Sequence, residues 1–286
     1  METRFLESLL AVVETGSISG AARLQGLTAA AVSQRIRVLE NDLNCTLLNR
    51  SAHAAVPTDI CMRLLPAARN LVKDARQLGA QIDPEGLRGP YRLGAVSTAL
   101  LDFVPDLIDT FRSQAPDVAI SIKPGTSLGL YEGLLSGNLD AAITAMPPFE
   151  LPKGVACRVL EEQPVVHVSP GGRSGKNGAR DKDLPWIIYD RLSWGGRMIW
   201  DAHRSLISHD DVICELDALE TIAFMVAQGG GQALVPMWRG LKNRRFGLNI
   251  KELSGSNTRK MVFLQLSNSP TSAVSALTFE ALRKGC

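Results

Sequence analysis

Residues 3–14 place Phe5, Leu6, Leu9, Leu10, Val12 and Val13 broadly at helical spacing, which predicts a first amphipathic helix. Thr15-Gly16 ends it. Ser17 offers an N-cap to a second helix, Ile18 to about Leu24. Gly26 breaks the chain again, and Thr28 can cap a third helix reaching about Leu43. There Val32, Ile36, Leu39 and Leu43 recur at steps of four, three and four, which predicts one buried stripe. Short helices with a glycine turn between the second and third form a helix-turn-helix layout. Beyond Asn44, Leu47 to Arg50 reads as a short strand. Ser51 to Pro57 reads as a loop returning to Thr58, as in a winged variant.

Thr58 can cap a longer helix over 59–80. Ile60, Leu64, Ala67, Leu71, Ala75 and Leu78 run close to a 3.5-residue repeat, the spacing of a seam against a partner helix. An ordinary amphipathic helix on its own domain fits the same pattern. Pro66 should kink it or relax a turn. Asp83 to Pro90 is rich in Pro and Gly and reads as the linker.

Strand and helix patterns alternate beyond the linker. Strands are expected at Tyr91–Val96, Val118–Lys123, Leu139–Thr144, Val165–Val168, Trp186–Tyr189, Val212–Leu216, Gln232–Val235 and Val262–Leu266. Helices are expected at Ala99–Gln114, Leu128–Ser136, Leu219–Ala227 and Thr271–Arg283. This is an α/β arrangement with a parallel sheet. The polar, Gly-rich stretch 170–183 reads as an exposed loop.

Composition adds little. The net charge of +2 is too small to argue for nucleic acid, and residues 1–89 hold 10 Lys+Arg against 9 Asp+Glu. Any DNA binding must come from local placement of charge. The five cysteines include no CxxC pair and their number is odd, which fits a reducing cytosol better than a disulfide framework. No secretion signal and no run of about 18 apolar residues is read in the chain.

A recognition helix buries one face and offers the other to the major groove. With Val32, Ile36 and Leu39 inward, the outward set is Ala29, Ala30, Ser33, Gln34 and Arg37. Gln and Arg make two-pronged contacts to base edges, Ser reaches bases or phosphate, and Ala can touch a thymine methyl. Thr28 and the N–H groups at the helix start can hold a phosphate. Arg50 and His53 in the wing can reach phosphate or the minor groove. From pattern alone, a plain three-helix cap with a solvated outer face fits as well.

Read together, the run AARLQGLTAAAVSQRIRVLENDL resembles the N-terminal signature of LysR-type transcriptional regulators. It matches at Ala21-Ala22, Thr28, Ala31-Val32-Ser33, Ile36, Leu39-Glu40 and Leu43. LLNR and PTDI follow at matching spacing, and GNLDAAIT and GGGQALVP resemble the family's effector domain. The resemblance implies a winged helix-turn-helix over 1–58, a dimerising linker helix over 59–89, and an effector domain over 90–286. That domain would be two Rossmann-like, periplasmic-binding-protein-like α/β subdomains, 90–160 with 238–286 and 161–237. It implies operator DNA, a small-molecule effector and a homodimer or homotetramer in the cytoplasm. Gln25 departs from the pattern where the family has a core leucine, so Leu24 is expected to fill that role. Cys61 replaces a glycine, and Ala30 a proline.

Ligands of such folds bind at the carboxyl ends of the strands. Ser97-Thr98 and Thr126-Ser127 follow strands and open helices, where free N–H groups favour anions. Arg191, Ser193 and Trp194 follow another strand. Arg191 can pair with a carboxylate, and Trp194 can wall an apolar part. Thr221 opens a further helix. An acidic effector is therefore expected, although Ser97 and Thr126 also read as simple caps. His53, His167, His203 and His209 show no metal-binding spacing, and no nucleophile elbow, phosphate loop or matched acid/base pair is evident. No cofactor, metal or catalytic residue is expected. The competing classes are a solute-binding protein without DNA function and an α/β enzyme with a helical arm.

Overall fold

The computed structural model describes residues 2–50, 55–77, 85–171, 184–242, 246–253, 257–267, 269 and 271–284. The chain divides into two compact units, Met1–Glu85 with Leu135–Asn138, and Gly86–Leu134 with Leu139–Cys286.

In the first unit, α1 (Thr3–Thr15), α2 (Ile18–Gln25) and α3 (Ala29–Leu43) are followed by strands β1 (Leu48–Arg50) and β2 (Ala55–Pro57) and by α4 (Asp59–Gln77). Each break has a local cause. Ser17 Oγ accepts from the Gly20 N–H at 3.0 Å and starts α2. Gly26, at φ 63°, ends it in a left-handed turn. Thr28 Oγ1 accepts from the Ala31 N–H at 3.1 Å and starts α3. β1 and β2 pair antiparallel as the wing. Glu40 of α3 accepts the N–H groups of Leu47 and Leu48 at 2.9 and 3.2 Å, fixing the wing to the helix.

Val32, Ile36 and Leu39 are fully buried in one core with Leu6, Leu9 and Val12. The predicted stripe stops there, because Leu43 lies in the last turn of α3 and is 38% exposed. Along α4 the buried residues are Cys61, Leu65, Ala68 and Val72. Ile60, Ala67 and Leu71 of the expected seam face outward instead, and Leu64 is half-buried. The helix therefore has two apolar stripes, one used by its own domain and one left exposed. It continues through Pro66. Leu78 and the end expected at residue 80 lie outside the described residues.

The second unit contains β3 (Gly89–Ala95), α5 (Ser97–Gln114), β4 (Val118–Pro124), α6 (Ser127–Leu135), β5 (Ala141–Ala145), β6 (Val155–Pro170) and β7 (Trp186–Tyr189). After them come α7 (Trp194–His203), β8 (Val212–Leu216), α8 (Leu219–Ala227), β9 (Ala233–Pro236), α9 (Arg239–Lys242), β10 (Leu248–Glu252), β11 (Thr258–Leu266) and α10 (Ser272–Lys284). β3 pairs parallel with β4 and β5, and β11 joins β5 antiparallel. The 16-residue β6 is the long crossing strand. Its first part pairs with β11, and its second part with β9 and β10. β7 and β8 form a parallel pair beside it.

Two subdomains result, joined by β6 and β11. α5 and α10 share the first core with Tyr91, Leu93 and Phe263. α8 shares the second with Val166, Ile187 and Val235. β10 corrects the expected division: it lies within 238–286 yet hydrogen-bonds the second half of β6. The pattern reading also shortened β6 to four residues and placed no helix at α7, which opens on Trp194. The exposed loop expected at 170–183 lies mostly outside the described residues.

Ile36→Ala should cost about 2–5 kcal/mol of stability, the range for emptying a closed core site. Urea unfolding of the full chain measures it.

Candidate functional site

Burial sorts the residues of α3 into two faces. Thr28, Ala29, Ala30, Gln34 and Arg37 are exposed and Ser33 is half-buried. Ala30, Gln34 and Arg37 lie on the side away from Val32, Ile36 and Leu39, while Thr28 and Ala29 are exposed at the helix start and Ser33 is at the edge of the face. Arg50 lies on β1, and its side chain and His53 fall outside the described residues.

Gln25 does not hand its place to Leu24, which is 62% exposed. Gln25 Oε1 accepts from the hydroxyl of fully buried Ser8 at 2.9 Å. Arg35 Nη1 of α3 donates to the same hydroxyl at 3.2 Å. A polar relay from α1 to α2 and α3 thus stands where an apolar contact was expected. Cys61 fits as a small apolar residue in the core, and burial pushes its thiol pKa up.

In the second unit the predicted residues separate into groups. Ser97 and Thr98 open α5, whose start carries no side-chain cap. Ser97 Oγ donates to Glu220 Oε2 on α8 at 3.0 Å, across from one subdomain to the other. Thr98 is buried and accepts from Arg259 Nη2 at 3.1 Å. Ser193 caps α7, accepting from the Gly196 N–H at 3.1 Å and donating to the Asp190 carbonyl at 2.8 Å. Trp194 packs against Tyr131 and Phe149, with ring centroids 6.0 and 5.6 Å away, so a side chain of α7 closes on the core of the other subdomain.

Thr126 and Ser127 serve α6. Thr126 Oγ1 accepts from Gly129 N–H at 3.2 Å, and buried Ser127 accepts from Ala145 N–H at 3.2 Å. Thr221 is exposed in the first turn of α8. Arg191 stands apart from all of these. It grips Glu215 with two bonds of 3.0 and 2.8 Å and lies 5.0 Å over the Trp200 ring. These residues line a separate open concavity of about 500 Å³ with Asp190, Leu192, Arg197 and Asp201. The guanidinium holds the Glu215 carboxyl below its ordinary range.

Pattern reading missed Arg259, at the junction of the two subdomains. Only 3% of it is exposed. It sits on β11 directly opposite Gln163 of β6, where the strands cross between subdomains. Its Nε donates to Gln163 Oε1 at 2.8 Å, and Nη2 donates to Gln163 and Thr98. The buried Tyr189 hydroxyl is a further neutral neighbour. No carboxylate forms an ion pair with Arg259 among the described residues. Asp217, which shares Ser193 and Tyr189 as partners, feels its charge, while partial burial raises the Asp217 pKa. A Cβ on Gly195 would come within 2.8 Å of the Tyr189 ring and 3.1 Å of Arg259, so glycine is required for this closeness. The missed signal lay in Gln163 and Arg259 themselves, each a polar residue just before an apolar strand run.

A second bridge accompanies the crossing strands. Asp102 of α5 accepts the N–H groups of Arg239 and Gly240 at 3.0 and 3.1 Å, and Arg239 pairs with Glu161 at 3.1 Å. Asp140 is used structurally, accepting from Arg92 through backbone and side chain.

This architecture agrees with the comparisons to known proteins. Residues 3–61 match the profile described as bacterial regulatory helix-turn-helix protein, lysR family, and residues 84–286 match the LysR substrate binding domain. The chain belongs to the LysR family of transcriptional regulators. Among curated relatives of this LysR-type regulator is the transcriptional activator IlvY of Salmonella typhimurium, 27% identical over 244 residues and 82% of each chain. The regulator CbbR of Rhizobium meliloti is 35% identical over 171 residues, which are 59% of this chain and 54% of CbbR. The match thus spans about half the length of CbbR. A full-length OxyR variant from Pseudomonas aeruginosa has the same fold, at TM-score 0.75 and 18% identity over 99% of this chain and 98% of that one. A solute-binding protein without DNA function is not favoured, because the helix-turn-helix is itself a LysR-family match.

Ser8→Ala removes the hydroxyl that Gln25 and Arg35 share, and should cost about 1–3 kcal/mol in urea unfolding. Arg191 and Glu215 should show favourable coupling in a double-mutant cycle at neutral pH. Glu215 is depressed in the folded state, so that coupling persists above its ordinary pKa and disappears as pH falls through the lowered one.

Proposed function

We propose that this regulator reads operator DNA with Ser33, Gln34 and Arg37 and answers to a small acidic effector bound around Arg259. Thr28, Ala29 and Ala30 complete the DNA face at the start of α3, and Arg50 and His53 supply wing contacts. The outward stripe of Ile60, Ala67 and Leu71, with half-buried Leu64 at its edge, supports a homodimer, which two dimers can extend to a tetramer. On this proposal the protein works in the cytoplasm and carries out no catalytic step.

The single observation that carries the effector reading is the buried guanidinium of Arg259, whose hydrogen-bond partners among the described residues are neutral. An isolated charge is costly to bury, and a fold keeps one where a partner arrives to complete it. Ser97, Thr98 and the uncapped start of α5 lie beside it and favour an anion. Binding can move the subdomains only if the effector holds one arrangement more tightly than the other.

Mobility-shift assays with genomic fragments test the DNA half. Arg37→Ala should weaken sequence-selective binding about 10- to 100-fold, and equal binding by the variant and the parent chain would defeat this placement. Thermal unfolding of the full chain with a panel of small carboxylates tests the effector half. A true effector at a hundredfold excess over its Kd adds about 2.7 kcal/mol of stability. No rise in Tm with any carboxylate, while amines or uncharged molecules that lack a carboxylate raise it, would defeat it.

A further inference from the structure

We propose that the cleft takes a zwitterion, an amino acid whose carboxylate pairs with Arg259 and whose ammonium is received by Glu220. This rests on the effector reading above and narrows it to a chemical class.

Glu220 stands in the first turn of α8, where an acidic residue ordinarily accepts N–H groups of its own helix. Here its Oε2 accepts from Ser97 on the opposite subdomain at 3.0 Å. Its Oε1 is buried and has no hydrogen-bond partner among the described residues. A carboxylate oxygen shut away from water without a donor is unfavourable, and the helix dipole alone does not account for it. That atom requires a donor, and a cationic N–H donor satisfies it best.

The chemistry of the cleft thus has two poles. On one side lies Arg259, a buried cation whose bonded partners are neutral. On the other lies Glu220, with Asp217 three residues before it on the segment leading into α8. Ser97 and Thr98 are consecutive, and one bonds Glu220 while the other bonds Arg259. The two poles are therefore brought to one helix start. A simple carboxylate answers the cation and leaves Glu220 Oε1 as it is. A dicarboxylate adds a like charge beside it. Only a ligand carrying both signs completes both groups. The Ser97–Glu220 bond joins the subdomains, so a ligand that engages Glu220 acts on the contact that holds them together.

The test compares matched ligands on the full chain by thermal shift and titration calorimetry. The probes are the common L-amino acids, together with amine-free partners such as succinate for aspartate and valerate for norvaline. An amino acid should raise Tm where its amine-free partner does so weakly. Glu220→Gln keeps an acceptor for Ser97 and removes the charge. It should weaken the amino acid about 10- to 100-fold while leaving the amine-free acid unchanged. Amine-free acids that bind as tightly as their amino partners, or an amino-acid preference that survives Glu220→Gln, would overturn the zwitterion assignment and leave the acidic-effector reading standing. No response to any acid of either kind would overturn both.

Discussion

The effector domain is organised around one buried cation. Arg259 sits where β6 and β11 pass from one subdomain to the other, held by Gln163, Thr98 and Tyr189. Neutral dipoles solvate a guanidinium only in part, and the idealised cost of taking such an ion from water is large. The groups that help carry it come from β6, α5 and β7, so both subdomains are committed to the same charge. Gly195 at the start of α7 is confined by the same cluster.

The contacts that close the cleft differ in kind. Trp194, with Tyr131 and Phe149, is an aromatic contact that gains from burial and does not depend on charge. Ser97 with Glu220 is a polar contact at the surface of the cleft, where water competes. Asp102 with the backbone of Arg239 and Gly240 ties α5 to the short helix α9, and Glu161, which pairs with Arg239 and accepts from Gln163, links this bridge to the Arg259 cluster. A ligand's charge acts on the polar contacts and leaves the apolar one as a pivot. This division gives the family's regulator architecture a physical route from binding to movement.

Much of the fold was legible in the sequence, for identifiable reasons. α8 and β8 matched their expected bounds because short apolar runs sit between clear turn signals. Thr28 and Ser17 announced their helices as caps, and both cap in the structure. The long crossing strand was cut to its apolar half, because Glu161, Glu162 and Gln163 interrupt the pattern where the strand changes subdomain. Gln25 misled for a related reason: hydrophobic spacing has no way to show that buried Ser8 and Arg35 wait across the turn. Within the cleft, Ser97 and Thr98 were legible as a helix start. Arg259 and Glu220 were not, because their meaning comes from a pairing 161 residues apart and another 123 apart.

That Arg259 is a buried charge held by neutral hydrogen-bond partners and no ion pair among the described residues is tested most directly by neutralising it. Urea unfolding of Arg259→Gln, without added ligand, should show a loss of no more than about 1 kcal/mol, or a gain, because the variant keeps hydrogen-bonding capacity and removes a desolvated charge. A loss of about 3–5 kcal/mol, the size expected on breaking a compensated buried pair, would contradict the account.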